Sequence, residues 1–135
     1  MEWLNEPPIW NVQGTTLMVT AGPRTDFWRT THYGFIRGNG HCYYQPVAGD
    51  FVAEVRFSGR YAALYDQAGL MLRADEHTWL KCGIEYANDV PPLWLTAATR
   101  PCAPPSDQRS CCHIAATSLG LAGLMASHGS TSLLG

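Results

Sequence analysis

Four side chains set the functional question: Trp79, Lys81, Glu85 and Gln67. A tryptophan face stacks on the apolar side of a pyranose, while an ammonium, a carboxylate and an amide hydrogen-bond its hydroxyls. Together they spell saccharide binding, provided one surface presents all four. The stretch Gln67 to Arg73 alternates with period 2, and so does Trp79 to Tyr86, which marks two strands with one buried face each. Ala68, Leu70 and Leu72 form the apolar set of the first arm, and Leu80, Cys82, Ile84 and Tyr86 that of the second. A hairpin closed over Ala74 to Thr78 pairs Arg73 with Trp79, Met71 with Lys81, Gly69 with Gly83 and Gln67 with Glu85. The opposite face then carries an aromatic, a base, a bare glycine floor and a carboxylate beside an amide. Lys81 and Glu85 stand about 13 Å apart at roughly 3.3 Å per residue, too far for an ion pair and suited to bracketing a mono- or disaccharide. Glycines opposed at 69 and 83 remove side chains and let a ligand approach the sheet. A solvated face with incidental charges is the plain alternative. The grouping of Trp, Met and paired Gly favours binding.

Other candidates are less specific. Asp26 and Trp28, with Arg24 and Phe27 beside them, follow a Gly22-Pro23 turn, and loops at a sheet edge commonly carry binding groups. A local Asx-turn and a Trp covering the core edge fit Asp26 and Trp28 equally well. Tyr65 and Asp66 precede the first arm and either join the site or, for Asp66, cap the turn. His32, His41, His77, Cys42 and Cys82 show no metal-ligand spacing, and Cys82 falls in the apolar set. Adjacent Cys111 and Cys112 are poor chelate geometry, and no Cys-x-x-Cys occurs. No phosphate-cradling glycine loop or Gly-x-Ser-x-Gly elbow is present, and Gly38-Asn39-Gly40 reads as a hairpin turn. No cofactor and no metal is expected.

The elements that must hold these groups are strands. Charged residues make up 15% of the 135, with 13 Gly and 9 Pro, a turn-rich composition for one β domain that can bury a core. A formal charge of -2 gives no electrostatic reason for nucleic acid or an acidic membrane as partner. The N-terminus lacks the basic and apolar regions of a secretory signal, and no apolar run of about 18 residues exists to span a membrane. Five cysteines without a regular framework read as reduced thiols, hence the cytoplasm. Trp3 to Trp10 is extended, a flap or edge; Thr15 to Thr20 is a short strand. His32 to Ile36 is a further strand, His41 to Gln45 continues, and Asp50 to Ser58 alternates with Phe51, Ala53, Val55 and Phe57 inward. Strands at this spacing without an amphipathic helix argue an antiparallel sandwich.

After Val90 the text changes. Only three charged residues, Arg100, Asp107 and Arg109, follow Asp89, and Pro101, Pro104 and Pro105 interrupt what remains. No period-2 strand can be drawn through residues 91–135, and Ile114 to Met125 has weak helical potential broken by Gly120 and Gly123. A core at residues 1–90 followed by an atypical tail is the expected division. Disorder is one explanation of the tail, and a coding frame shifted near position 90 is the favoured one.

Six separated blocks then resemble a family: Trp3-Leu4-Asn5-Glu6-Pro7, Thr25-Asp26-Phe27-Trp28, Tyr33-Gly34-Phe35, Gly49-Asp50-Phe51, Tyr65-Asp66-Gln67-Ala68-Gly69-Leu70 and Trp79-Leu80-Lys81-Cys82-Gly83-Ile84-Glu85. In this order they are similar to the domain-of-unknown-function family numbered 1349, over about residues 2–90. Its members are concanavalin A-like proteins of bacteria and fungi, some labelled regulators of enolase. The resemblance implies a two-sheet jelly roll of the lectin and glucanase type. Family members continue with a Ser-Val-Val-Val-Thr-Arg strand and a Ser-Asp-Trp-Ser block; neither occurs here, so an incomplete sandwich is expected. Glucanases of this fold usually carry a Glu-x-Asp-x-x-Glu strand, also absent.

The favoured reading is a cytoplasmic β-sandwich that binds a carbohydrate-like ligand on its concave face without hydrolysing it. Trp79 stacks, Lys81 and Glu85 bind hydroxyls or a uronate, and Gln67, Asp26, Trp28, Tyr65 and Asp66 complete the wall. One alternative is a glycan-processing hydrolase or lyase using Glu85 with Asp26 or Asp66, because such chemistry needs two carboxyls roughly 5 to 9.5 Å apart. A protein-interaction module is the other.

Overall fold

A computed structural model describes residues 1–29, 34–87, 93–95, 109–117, 120–127 and 130–134. The described residues form strands β1 (Glu2–Leu4), β2 (Ile9–Gln13), β3 (Thr16–Thr20), β4 (Phe27–Arg29), β5 (Ile36–Gly38), β6 (His41–Val47), β7 (Asp50–Arg60), β8 (Gln67–Arg73), β9 (Trp79–Glu85), β10 (Leu93–Leu95), β11 (Arg109–Thr117), β12 (Gly120–Ser127) and β13 (Ser130–Leu134). They build a six-stranded sheet in the order β1-β6-β12-β8-β9-β10 and a five-stranded sheet in the order β11-β7-β13-β3-β2, with β4 and β5 paired apart from both. The strand pairs are antiparallel.

One apolar core joins the two large sheets. Leu17 and Val19 of β3 and Val55 and Phe57 of β7 meet Ala68 and Leu70 of β8, Cys82 and Ile84 of β9, and Ala126 of β12. These are the alternate residues of each strand, so period 2 in the sequence has become one buried face per sheet. The result is an antiparallel β-sandwich. Among the described residues no helix is long and apolar enough to cross a membrane.

The six-stranded sheet is also covered on its other face. Phe27 of β4 is fully buried against Cys42 and Met71, with Leu4, Tyr44 and Trp79 packed around them. Burial of one Phe contributes about 1.5–3 kcal/mol, enough to pin a strand this short. A Cβ at Gly40 would lie 2.6 Å from the Phe27 ring, so the seat for Phe27 requires glycine there. His41 ties the same corner together. The Gly22 N–H donates to His41 Nε2 at 3.0 Å, so the ring proton sits on Nδ1 and is donated to the Asn5 carbonyl at 2.6 Å. Asn5 in turn donates to the carbonyls of Gly38 and Gly40 at 2.9 and 2.8 Å.

Three expectations need correction. The last third does contain strands: β12 lies between β6 and β8, β13 between β7 and β3, and β11 flanks β7. The sandwich therefore does not stop at residue 90, and the helical potential of 114–125 is overridden by pairing with β7 over 114–117 and with β6 and β8 over 120–125. The expected boundary itself, and Pro101, Pro104 and Pro105, lie outside the described residues. Secondly, Gly38-Asn39-Gly40 is no hairpin turn, since β5 pairs with β4 whereas β6 pairs with β1 and β12. Thirdly, the expected strand over His32 to Ile36 is displaced: His32 and Tyr33 lie outside the described residues, and the strand runs Ile36–Gly38.

Candidate functional site

The β8–β9 hairpin pairs Gln67 with Glu85, Gly69 with Gly83, Met71 with Lys81 and Arg73 with Trp79, the register the alternation predicts. Asp75 sets the turn. Its Oδ1 accepts the N–H groups of His77 and Thr78 at 2.7 Å each, and those donors hold its carboxyl below the ordinary carboxylate range. Trp79, Lys81, Glu85 and Gln67 therefore share the face turned away from the sandwich core.

That face is not a bare floor. Lys81 Nζ donates to Gln67 Oε1 at 2.8 Å and lies 3.3 Å from Asp26 Oδ1, while Gln67 Nε2 donates to the same Asp26 oxygen at 3.1 Å. Lys81 and Gln67 belong to rows separated by the Gly69–Gly83 row, and with no side chain between them they meet across it. The two glycines have a second cause. A Cβ at Gly69 would collide with the Cys82 carbonyl, and one at Gly83 with the Ala68 carbonyl, so close strand approach requires them. The space above them holds the Lys81–Gln67–Asp26 contacts. Gln67 and Met71 are fully buried, and the side chains of Lys81 and Asp26 are each only 13% exposed.

Asp26 is held for this task by its backbone. Its N–H donates to Asn39 Oδ1 at 3.1 Å, Asn39 Nδ2 donates to the Arg24 carbonyl at 3.2 Å, and the Gly40 N–H donates to the Asp26 carbonyl at 2.9 Å. Lys81 Nζ also stands 5.7 Å from the Trp28 ring centre and 6.0 Å from that of Trp79, within cation–π range. One ammonium thus links a carboxylate, an amide and two indoles. Glu85 flanks Gln67 and is half-buried; burial pushes its carboxyl up, partly opposed by the Lys81 charge and reinforced by Asp26.

Beside this cluster an open groove of about 190 Å³ runs between the two hairpins. Trp28 and Arg37, cross-strand partners of β4 and β5, line one wall; Trp79 and Arg73, partners of β8 and β9, line the other. Arg29, Ile36, Gly38 and Glu76 complete it. Alternation places Arg73 beside Trp79, whereas Arg29 and Arg37 carry no such signal, because three-residue strands show no readable period. Asn39 carries none for a different reason: a Gly-Asn-Gly string reads as a turn whatever its side chain holds.

The remaining candidates fall away from the cluster. Asp66 is buried, and its Oδ2 accepts the Ala62 and Ala63 N–H groups at 2.8 Å each, so it caps the turn before β8. Tyr65 takes φ 69° and exposes its ring; only its carbonyl approaches Gln67, at 3.5 Å. Burial pushes the Cys42 thiol up to about 12, partly opposed by the Arg73 charge. Among the described residues no group of three His, Cys, Asp or Glu side chains is placed to hold a metal.

The molecule is thus an antiparallel β-sandwich whose outer face carries an Asp–Lys–Gln cluster beside an aromatic-walled groove. The chain belongs to the family of proteins of unknown function DUF1349, whose profile matches residues 3–113, past the residue 90 where the resemblance was expected to end. It is 43% identical over 86 residues to "Regulation of enolase protein 1" of Saccharomyces cerevisiae, covering 64% of this chain and 43% of that protein. An uncharacterized protein of Emericella nidulans is 33% identical over 88 residues, 61% of this chain and 44% of the relative. The matched segment therefore spans less than half the length of either relative. In three dimensions the chain is similar to the crystal structure of a functionally unknown protein from Saccharomyces cerevisiae, with TM-score 0.78, 25% identity, and coverage of 98% of this chain and 90% of that one.

Proposed function

We propose that this sandwich binds a carbohydrate-like ligand in the groove between Trp28 and Trp79 and does not hydrolyse it. The observation that carries the reading is two indoles on facing walls, each beside a guanidinium, with the Asp26–Lys81–Gln67 cluster fixed behind them. Aromatic walls give a sugar ring its stacking faces, and fixed polar groups give orientation. The ligand site thus moves from the glycine floor to its rim, with Trp79 kept and Asp66 dropped. The name of the yeast relative speaks of regulation, which sides with binding rather than turnover. The same reading keeps the protein in the cytoplasm, with buried thiols at Cys42 and Cys82 and neither nucleic acid nor membrane as partner.

A calorimetric screen of mono- and disaccharides tests it, with Trp79→Ala as control. Sugar-dependent heat lost in the variant is the expected result; no signal at millimolar concentration overturns the reading.

A second reading keeps one observation. Glu85 has a carboxyl pushed up by burial beside the charge of Asp26, the type of asymmetry that separates a general acid from its partner carboxylate. Reducing-sugar release abolished by Glu85→Gln would promote a glycan-processing enzyme.

A further inference from the structure

The groove is basic on a chain that is not. Arg29, Arg37 and Arg73 line it, against a single carboxylate, Glu76, which pairs with His77 at 2.8 Å. The whole chain carries a formal charge of -2, so a cationic groove does not follow from overall composition. Among the described residues none of the three arginines is in an ion pair. Arg37 is instead steadied by donating to the Arg24 carbonyl at 3.2 Å and lying 5.6 Å from the Phe35 ring centre. Each wall repeats one device, a Trp and an Arg as cross-strand neighbours on the same face.

We infer that the groove takes an anionic saccharide, its ring against Trp28 and Trp79 and its carboxylate or phosphate held by Arg37 and Arg73 from opposite walls. Guanidinium forks match both anions bidentately, and such charge-assisted bonds are about twice as strong as neutral ones. The volume of about 190 Å³ is below the roughly 300–1,000 Å³ of pockets that enclose drug-sized ligands, so one ring with one charged group is the fitting occupant. Lys81 does not supply the anion site, because Asp26 and Gln67 already engage it. The inference rests on the saccharide reading and adds the charge of the ligand to it.

The test compares glucose, glucuronate, a glucose phosphate and inorganic phosphate by calorimetry on the full chain, at about 0.02 and 0.2 M salt. A charged sugar binding at least tenfold more tightly than glucose, with affinity falling at high salt, is the expected result. Arg73→Gln and Arg37→Gln should each reduce that preference about tenfold or more. Arg37 is exposed, so its variant reports even where Arg73→Gln unfolds the protein. Whichever of glucuronate and the glucose phosphate binds more tightly identifies the anion. Equal binding of glucose and both charged sugars overturns the inference and leaves the saccharide reading standing. Inorganic phosphate binding as tightly as the glucose phosphate overturns the saccharide half, and no binding by any probe overturns both.

Discussion

Replacing Lys81 by Met removes the ammonium and keeps the stem. The ion pair to Asp26 at 3.3 Å is worth about 5 kcal/mol of gross Coulomb attraction at an effective dielectric of 20. Relief of ammonium desolvation offsets part of that. The donated bond to Gln67 at 2.8 Å adds about 1.5–3 kcal/mol, and the two indole contacts about 0.5–1 kcal/mol each. What remains is a carboxylate that is 13% exposed with Gln67 Nε2 as its surviving side-chain partner. Removing one partner of a fully buried pair costs about 3–5 kcal/mol; with this much exposure the net is about 2–3 kcal/mol. Urea unfolding at neutral pH should show the midpoint falling by about 1–2 M with unchanged slope. Asp26→Asn should cost a similar amount, and the double variant should lose about 1–2 kcal/mol less than the two singles together. Additive singles, or a Lys81→Met midpoint within error of the parent, would refute the cluster as the bolt between the β4–β5 hairpin and the sheet.

Glu85→Gln should be more stable than the parent at neutral pH and equal to it in acid. A carboxyl raised in the folded state contributes stability below its unfolded pKa, near 4.3, and loses it as pH rises through the folded value; unfolding midpoints across that range would show the difference opening with pH. Asp66→Ala should cost about 1–3 kcal/mol by stripping the Ala62 and Ala63 N–H groups of their acceptor, with saccharide affinity unchanged in the same preparation. A chain ending at residue 108 should lose its cooperative unfolding transition, because removing β11, β12 and β13 strips β7 of both its neighbours and β3, β6 and β8 of one each. A normal transition in that truncated chain would contradict the role given to the tail.

How much of this was legible depended on strand length and neighbours. β8 and β9 each offer seven residues of clean alternation joined by a short turn, so their register and shared face follow from the pattern alone. β4 and β5 have three residues each, too few for a period, and nothing local says that Phe27 is fully buried while Trp28 is only partly so. That missed lid is why Met71, read as outward, is fully covered, and why the open floor proved to be a protein-filled one. The tail failed differently. β12 is inserted between two strands and β13 between two others, so small residues there answer to packing rather than to a solvent face. Gly123 shows it: a Cβ would sit 2.7 Å from the Tyr43 carbonyl oxygen and 2.8 Å from Cys42 Sγ. Composition alone cannot distinguish such crowding from a sequence without a fold. Strand spacing already argued the antiparallel sandwich, and the family blocks added to it the expectation of a two-sheet jelly roll.

The indole N–H signals of the five tryptophans test the central claim most directly. Titrated with a uronate or a sugar phosphate and followed by NMR, the signals of Trp28 and Trp79 should move together along one binding curve, while those of Trp3 and Trp10, which meet edge to face at 5.5 Å on β1 and β2, stay in place. Unmoved Trp28 and Trp79 signals at saturating sugar, or shifts confined to Trp3 and Trp10, would contradict a saccharide site between the two hairpins.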